Sequence, residues 1–528
     1  MRATSIGDTE VRPASPDEPV SAGSGRRGRL AGRYPAWTAV LRQNWLAAAL
    51  LTAGLVLRVL AELAYRPALF YIDTTRYLYN AGGMDPVGYK GPLRAILLVG
   101  NFDAVAAFQH LLGLAMAMAI YLLLRRRGVS RWLAALAIAP VLLDAYQLQI
   151  EQTIMPDTLF EALIVAGLAI LLWSPEVTWR RAVCAGVVLG ASATVAQVGE
   201  ALLLPALIYL VAAGGGWRRF LGRAVALGVA FAAPILVYCT VSYLLAGSFF
   251  LSHTGVTSFY GRMAAAADCA TLRLPAAERG LCPTPAQQAQ GPDWLEYNAG
   301  SPVRPYYTNL PRGETDSMLA NFNHSVLTQQ PERVFGAYAS NVVELFVLTR
   351  DGRAGDTPIA RWQFQAKFPY YPPHASMAVI DTAVGRYGGG RPAVWAPVAA
   401  FLRSYQLDGG YTPGPLMAVF VLAGLGGSVL LLRRRAGPGR RAGPAARQLS
   451  LACLLLLSAG AAVTLVSDLF EFSWRYQLPA LVTLVPAGAL GIGVIIDSLR
   501  GAGEPGAGEP GVAERSVGER GVAKTRGE

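Results

Sequence analysis

Histidine and cysteine are scarce in this chain, four and five residues of 528, and charged side chains make up only 15%. No H-E-x-x-H or C-x-x-C occurs, and His253, His324 and His374 lack metal-ligand spacing, so zinc hydrolysis loses its markers. Walker A and G-x-S-x-G motifs are absent too, and with the first goes the signature of ATP-driven transport. The net charge of +12 does not point to nucleic acid, because Lys and Arg stand in short clusters between apolar runs instead of forming a stripe.

What the chain has is apolar sequence: 53% hydrophobic residues and a mean hydropathy of +0.36, well above a soluble domain. Ten runs near the length that spans a bilayer fall at 44–64, 103–124, 131–149, 155–173, 181–197, 199–213, 223–246, 414–432, 449–467 and 476–497. The basic clusters between them fall on every second loop: Arg125 to Arg127 with Arg131, Arg180 and Arg181, Arg218, Arg219 and Arg223, Arg433 to Arg435 with Arg440 and Arg441, and Arg500. By the positive-inside rule these loops and both termini are cytoplasmic, and the remaining loops lie outside the plasma membrane.

The expected fold class is therefore an all-α polytopic membrane protein of about ten transmembrane helices with a small, mostly helical and irregular external domain. Its expected divisions are a disordered tail at 1–43, seven helices over 44–246, the external domain at 247–413, three helices over 414–497 and a low-complexity tail at 498–528. Within 247–413, helical periodicity covers 315–330 and 331–349. If that region is outside the cytoplasm, Cys269 and Cys282 form a disulfide closing a loop worth roughly 3 kcal/mol on the chain-entropy model. Gly424, Gly426 and Gly427, at membrane depth, permit close helix packing.

The first outer loop, 65–102, is too polar for a lipid-facing turn. Between 70 and 94 it carries Asp73, Arg76, Asp85, Lys90, Arg94 and four tyrosines. The other outer loops bring Glu151, Asp157, Glu200, Asp468, Glu471 and Arg475 to the same face. A chance scatter of interfacial charge would favour snorkelling cations, so the acids are the informative part.

Five stretches occur in order: Y-I-D-T-T-R-Y at 71–77, D-P-V-G-Y-K-G-P-L at 85–93, M-P-D-T-L-F-E-A-L at 155–163, A-Q-V-G-E-A-L-L-L-P at 196–205 and W-R-Y-Q-L-P at 474–479. Together they resemble the GT-C superfamily of polyprenyl-phosphate-dependent integral-membrane glycosyltransferases, which includes protein O-mannosyltransferases and lipid A aminoarabinose transferases. The likeness covers the membrane region, 44–213 best, and barely touches 247–413. It implies an inverting hexosyl or pentosyl transfer from a polyprenyl monophosphate carrier to a hydroxyl of a glycan, lipid or protein. Asp73 would be the base that takes the acceptor proton. Lys90, Arg94 and Arg475, with Arg76, would bind the departing phosphate, and Asp157, Glu200, Tyr77 and Tyr89 would contact sugar or acceptor. No cofactor is expected; a divalent cation is possible but not indicated. Thr74 stands where a second acid is frequent, which speaks against a metal there, and Gln197 stands where arginine is common.

Each residue also has an ordinary role open to it. Asp73 could simply pair with Arg76 three positions on, Asp157 could compensate a helix dipole behind Pro156, and Glu200 could cap a turn. Lys90 and Arg94 could snorkel to headgroups, and Arg475 with Tyr476 could anchor at the interface. His110 reads as a packed, hydrogen-bonded residue, and Asn323-His-Ser matches a glycosylation sequon. The rival function is a transporter or flippase of a lipid-linked sugar, for which an internal repeat and midplane charges are expected and not seen. An inactive membrane scaffold of the same fold is the third reading.

Overall fold

The computed structural model describes residues 36–79, 86–214, 216–252, 254–353, 355–433 and 444–503. Asp85, His253, the clustered arginines at 434–441 and most of both tails lie outside the described residues. The chain divides into a small unit, Met1–Trp45, and a large one, Leu46–Glu528. Of the small unit the helix Ala36–Gln43 is described.

In chain order the helices that matter for the site begin with α1 (Trp45–Ala64), α2 (Lys90–Val99), α3 (Phe102–Arg126), α4 (Arg131–Leu143) and α5 (Ala145–Gln152). There follow α6 (Asp157–Leu172), α7 (Trp179–Val195), α8 (Leu203–Ala213) and α9 (Trp217–Ala246). The long middle segment holds α10 (Thr254–Ala266), α11 (Arg312–Gln329) and α12 (Pro331–Glu344), and α13 (Gly414–Arg433), α14 (Pro444–Asp468) and α15 (Pro479–Gly503) close the chain.

Among the described residues, five helices are long and apolar enough to cross a membrane: α1, α3, α9, α14 and the run Trp474–Leu499 that includes most of α15. The pair α4 and α5, bent by 50°, adds a sixth if counted as one broken span. The chain is thus a multi-pass membrane protein, and of the about ten transmembrane helices expected these five or six are long enough among the described residues. α6 and α7 have 16 and 17 residues, and the apolar run Gln197–Ala213 is short as well. The cause is local, since a run of apolar residues does not register where the backbone turns. Asp144 breaks 131–149 by accepting the Tyr146 N–H at 3.0 Å and starting a new helix, and Gln197–Leu202 winds as a 3-10 turn.

The glycines near 424 serve packing. A Cβ on Gly427 would fall 2.7 Å from the Gly491 Cα, and one on Gly491 would fall 2.1 Å from the Ala423 carbonyl oxygen, so α13 and α15 meet backbone to backbone.

The least ordinary element is α5, all eight residues of which are buried although Gln147, Gln149, Glu151 and Gln152 are polar. The Arg58 guanidinium of α1 reaches Glu151 Oε1 at 2.7 Å and also donates to the carbonyls of Gly54, Val141 and Leu142. His110 of α3 sits between Glu151 Oε2 at 3.0 Å and Gln152 Oε1 at 2.8 Å, which is the packed role expected of it. Glu151 itself is fully buried beside an arginine that compensates it.

From α5 the chain runs extended through Thr153 and Ile154 to meet the segment that carries Asp73. Tyr65–Arg66 pairs antiparallel with Ala393–Val394, Leu69 N–H donates to the Gln152 carbonyl at 3.0 Å, and Ile154 N–H donates to the Leu69 carbonyl at 2.9 Å. Thr74 closes this seam: its hydroxyl accepts from Tyr71 N–H at 2.8 Å and donates to the Ile154 carbonyl at 3.0 Å. A carboxylate has no proton for the second bond, so the residue that stands in place of an acid is a structural latch.

The 247–413 segment contains two kinds of packing. α10, α11 and α12, near the helices expected at 315–330 and 331–349, enclose a core of Tyr260, Leu281, Leu295, Phe322 and Val326, and Cys269 is bonded to Cys282. Beyond α12 the segment packs instead on the helix ends, where Trp362 meets Tyr71 and Phe364 stacks on Tyr65 at 5.5 Å. Asn323 is 5% exposed and donates to the Val256 carbonyl, so its sequon is closed to modification in the fold.

Candidate active site

Asp73 follows the seam just described, Asp157 opens α6 after Pro156, and Arg475 lies in the 3-10 turn Trp474–Gln477 that leads into α15. The fold brings the three together. Arg475 Nε donates to Asp157 Oδ1 at 2.7 Å, and its Nη1 lies 3.6 Å from Asp73 Oδ2. Arg76 Nη1 approaches the other oxygen of Asp73 at 3.5 Å. The result is a balanced cluster of two carboxylates and two guanidiniums, most shielded at Arg475 (10% exposed) and most open at Arg76 (26%). Low dielectric around its inner half strengthens each of these attractions.

Aromatic rings hold the inner cation. The Arg475 guanidinium lies 5.3 Å from the ring centroids of both Trp362 and Tyr476, a cation–π arrangement that limits its rotation. Trp362 in turn packs against Tyr71 at 4.8 Å, and Tyr371 meets Tyr71 at 5.1 Å. Arg361 Nη1 donates to the Tyr71 hydroxyl at 3.2 Å and pairs with Asp293 at 3.1 Å. Arg76 lies 5.9 Å from the Tyr297 ring. Burial pushes the Tyr71 hydroxyl above its ordinary range while Arg361 draws it back, so it remains a neutral phenol at physiological pH.

Of the residues expected at the site, Asp73, Arg76, Asp157 and Arg475 form this cluster. Tyr77 and Tyr89 are buried edge to face at 5.3 Å, with the Tyr89 hydroxyl donating to Gln109 at 2.6 Å, so the Tyr89 hydroxyl is engaged inside the protein. Lys90 and Arg94 stand one turn apart on α2; burial, and then the neighbouring Arg94, hold the Lys90 ammonium below its ordinary value. Glu200 is placed apart, exposed on the turn Gln197–Leu202 that packs on α7 and α14. The residues missed were Arg361, Asp293 and Trp362. They come from the middle segment, where no motif resembled anything, and only the R-W pair beside an aromatic-rich stretch could have signalled them. Among the described residues no group of three His, Cys, Asp or Glu side chains is arranged to hold a metal ion.

Glu471, three residues ahead of the turn Trp474–Gln477, has a distinctive environment. Burial above all, then the Asp293 and Glu296 carboxylates, push its carboxyl up to about 8, with Arg361 opposing. The folded protein therefore keeps a proton that the unfolded chain releases near 4.5, and stability falls as pH rises through the window between 4.5 and about 8. Melting temperatures in detergent should decline across that window, and Glu471→Gln should flatten the decline. An unchanged slope in the variant would show that Glu471 does not carry the effect.

No family model matches the chain, and no curated protein matches it. Its fold is similar to the protein O-mannosyltransferase Pmt1-Pmt2 complex of S. cerevisiae bound to the sugar donor, at 17% identity over 43% of this chain and 38% of that one, with a TM-score of 0.31. It is also similar to the oligosaccharyltransferase AglB of Archaeoglobus fulgidus in complex with an inhibitory peptide and a dolichol-phosphate (14% identity, 92% and 53% covered, TM-score 0.37). A third similar structure is an Archaeoglobus fulgidus oligosaccharyltransferase tethered with an acceptor peptide (13%, 88% and 51%, TM-score 0.39). The chain spans about half or less of the length of these structures. At such distances the function has to be drawn from the residues of this chain.

Proposed function

We propose that the chain is an integral-membrane glycosyltransferase that moves a sugar from a polyprenyl monophosphate to a hydroxyl acceptor, with inversion at the anomeric carbon. The observation that carries this reading is the convergence of Asp73, Asp157 and Arg475, three residues from separate motifs, in one ion cluster beside the ends of membrane helices. Asp73 suits the base: its ion pairs, at 3.5 and 3.6 Å, are longer than hydrogen bonds, and it is 21% exposed, so an acceptor hydroxyl has room to approach. Asp157 is committed to Arg475 at 2.7 Å and acts in this reading as its holder.

The charge balance suits the chemistry. As the acceptor oxygen bonds to the anomeric carbon, its proton passes to Asp73, and the bond from that carbon to the phosphate oxygen breaks. Neutralising Asp73 releases Arg76 and Arg475 from the Asp73 carboxylate as negative charge grows on the leaving phosphate. Lys90 and Arg94 would supply the further cations that a phosphate requires. The acceptor would enter from the side of Tyr297, Asp293 and Arg361, with the prenyl chain on the lipid side. The basic loops support cytoplasmic termini and a site on the external face of the plasma membrane, with α10 to α12 forming the external domain.

The test is purified protein in lipid, offered a panel of labelled polyprenyl-phosphate sugars together with hydroxyl acceptors. Turnover of one donor with an inverted product is expected. Retention of configuration would replace the single-displacement scheme, and donor translocation without bond cleavage would favour a flippase.

A further inference from the structure

Arg350 lies just beyond α12 and belongs to no motif, yet it is 6% exposed and more tightly enclosed than any group of the ion cluster. Its Nη1 and Nη2 donate to the two oxygens of Asp144 at 3.1 and 2.8 Å. Three rings surround the guanidinium, those of Tyr146 at 4.7 Å, Trp474 at 5.1 Å and Tyr411 at 5.3 Å. Asp144 is fully buried at the bend between α4 and α5, where it also accepts from the N–H groups of Tyr146 and Thr412 at 3.0 and 2.8 Å. The Trp474 indole donates to the Asp351 carbonyl at 3.3 Å, so its ring is held at both the face and the edge.

Two of the stretches that meet at Arg350 lead straight into the ion cluster. Trp474 is the chain neighbour of Arg475, within one turn of 3-10 helix. α5, begun by Asp144, ends in the extended seam that delivers Asp157. An ion pair alone would need only Asp144; three rings in addition fix the plane of the guanidinium, which is a task for arginine and not for lysine.

We propose that Arg350 is a positioning residue for Arg475: by clamping Trp474 to the Asp144 bend, it aims the Arg475 guanidinium between Asp73 and Asp157. Its catalytic consequence rests on the glycosyl transfer proposed above; its geometric half does not.

The full-length Arg350→Lys variant in lipid nanodiscs tests it through two readouts. For transfer, kcat should fall about 10- to 100-fold, as a displaced catalytic group does, with donor KM changed by less than about threefold. Adding Arg350→Lys to Arg475→Gln should lower kcat no further; a second, proportionate loss would mean that Arg350 acts independently and would overturn the proposal. By hydrogen exchange, amides at 474–477 should exchange about tenfold faster in Arg350→Lys, with α11 unaffected; equal rates overturn the clamp. If Arg350→Lys does not fold, Trp474→Leu carries the same readouts and Trp474→Phe, which keeps a ring over the guanidinium, should restore them. A wild type active on no donor would remove the functional reading while the exchange rates still decide the clamp.

Discussion

Asp73→Asn should yield a folded protein that no longer transfers sugar. An asparagine keeps the shape of the side chain and one oxygen for the guanidiniums but cannot take a proton, so the loss should be roughly 100- to 10,000-fold, the usual worth of a positioned general base. Folding should survive, because the ion pairs of Asp73 are long, at 3.5 and 3.6 Å, and partly open to solvent, and such pairs contribute about 1 kcal/mol or less. The backbone around it is held independently by the Thr74 hydroxyl and by the bonds between Leu69 and residues 152–154. Donor turnover, size-exclusion profile and melting temperature on the same preparation separate the two effects. Turnover within about threefold of wild type would show that the base lies elsewhere. Asp157, whose Oδ2 is buried and accepts no hydrogen bond among the described residues, would then be the next carboxylate to remove.

Much of this cluster was legible in the sequence, because Asp157 and Arg475 sit where an apolar run begins and Asp73 lies in the polar stretch that follows the first run, and such charges near a membrane boundary have few explanations. Composition and periodicity also sufficed for the helices α11 and α12 and for the glycine contact of α13 with α15. Some of the expected spans are bent or shortened for a physical reason: hydropathy measures how apolar a window is, whereas Asp144 and the 3-10 turn Gln197–Leu202 redirect the backbone inside apolar windows. The full burial of Glu151 was not legible either. A carboxylate near a helix end reads as interfacial until its partner is known, and its partner Arg58 is 93 positions away on another helix. Thr74 was legible only as an absence. Its value lies in a donated proton, which no comparison with acidic motifs registers. Arg361 and Arg350 come from the middle segment, where contacts over long sequence distances decide every role.

The largest effect on stability should come from Glu151→Ala. Glu151 is fully buried and Arg58 is 2% exposed, so removing the carboxylate leaves a guanidinium in the protein interior with only carbonyl oxygens to face. Breaking a buried pair from one side costs about 3–5 kcal/mol, a large part of the total of roughly 5–15 kcal/mol that holds a folded protein together. The site is also too tight to relax cheaply, since even a Cβ on Gly113 would fall 2.2 Å from Glu151 Oε1. The double variant Arg58→Met/Glu151→Met should recover much of the loss, because apolar side chains of similar volume incur no desolvation of charge. Equilibrium unfolding of the single and double variants in detergent measures both. A single variant within about 1 kcal/mol of wild type would mean that water or a shift of Arg58 relieves the charge. Activity should follow stability here and not in Asp73→Asn, because α5 is the element that carries the chain into the seam between Asp73 and Asp157. Loosening its anchor to α1 and α3 moves both carboxylates away from Arg475 at once.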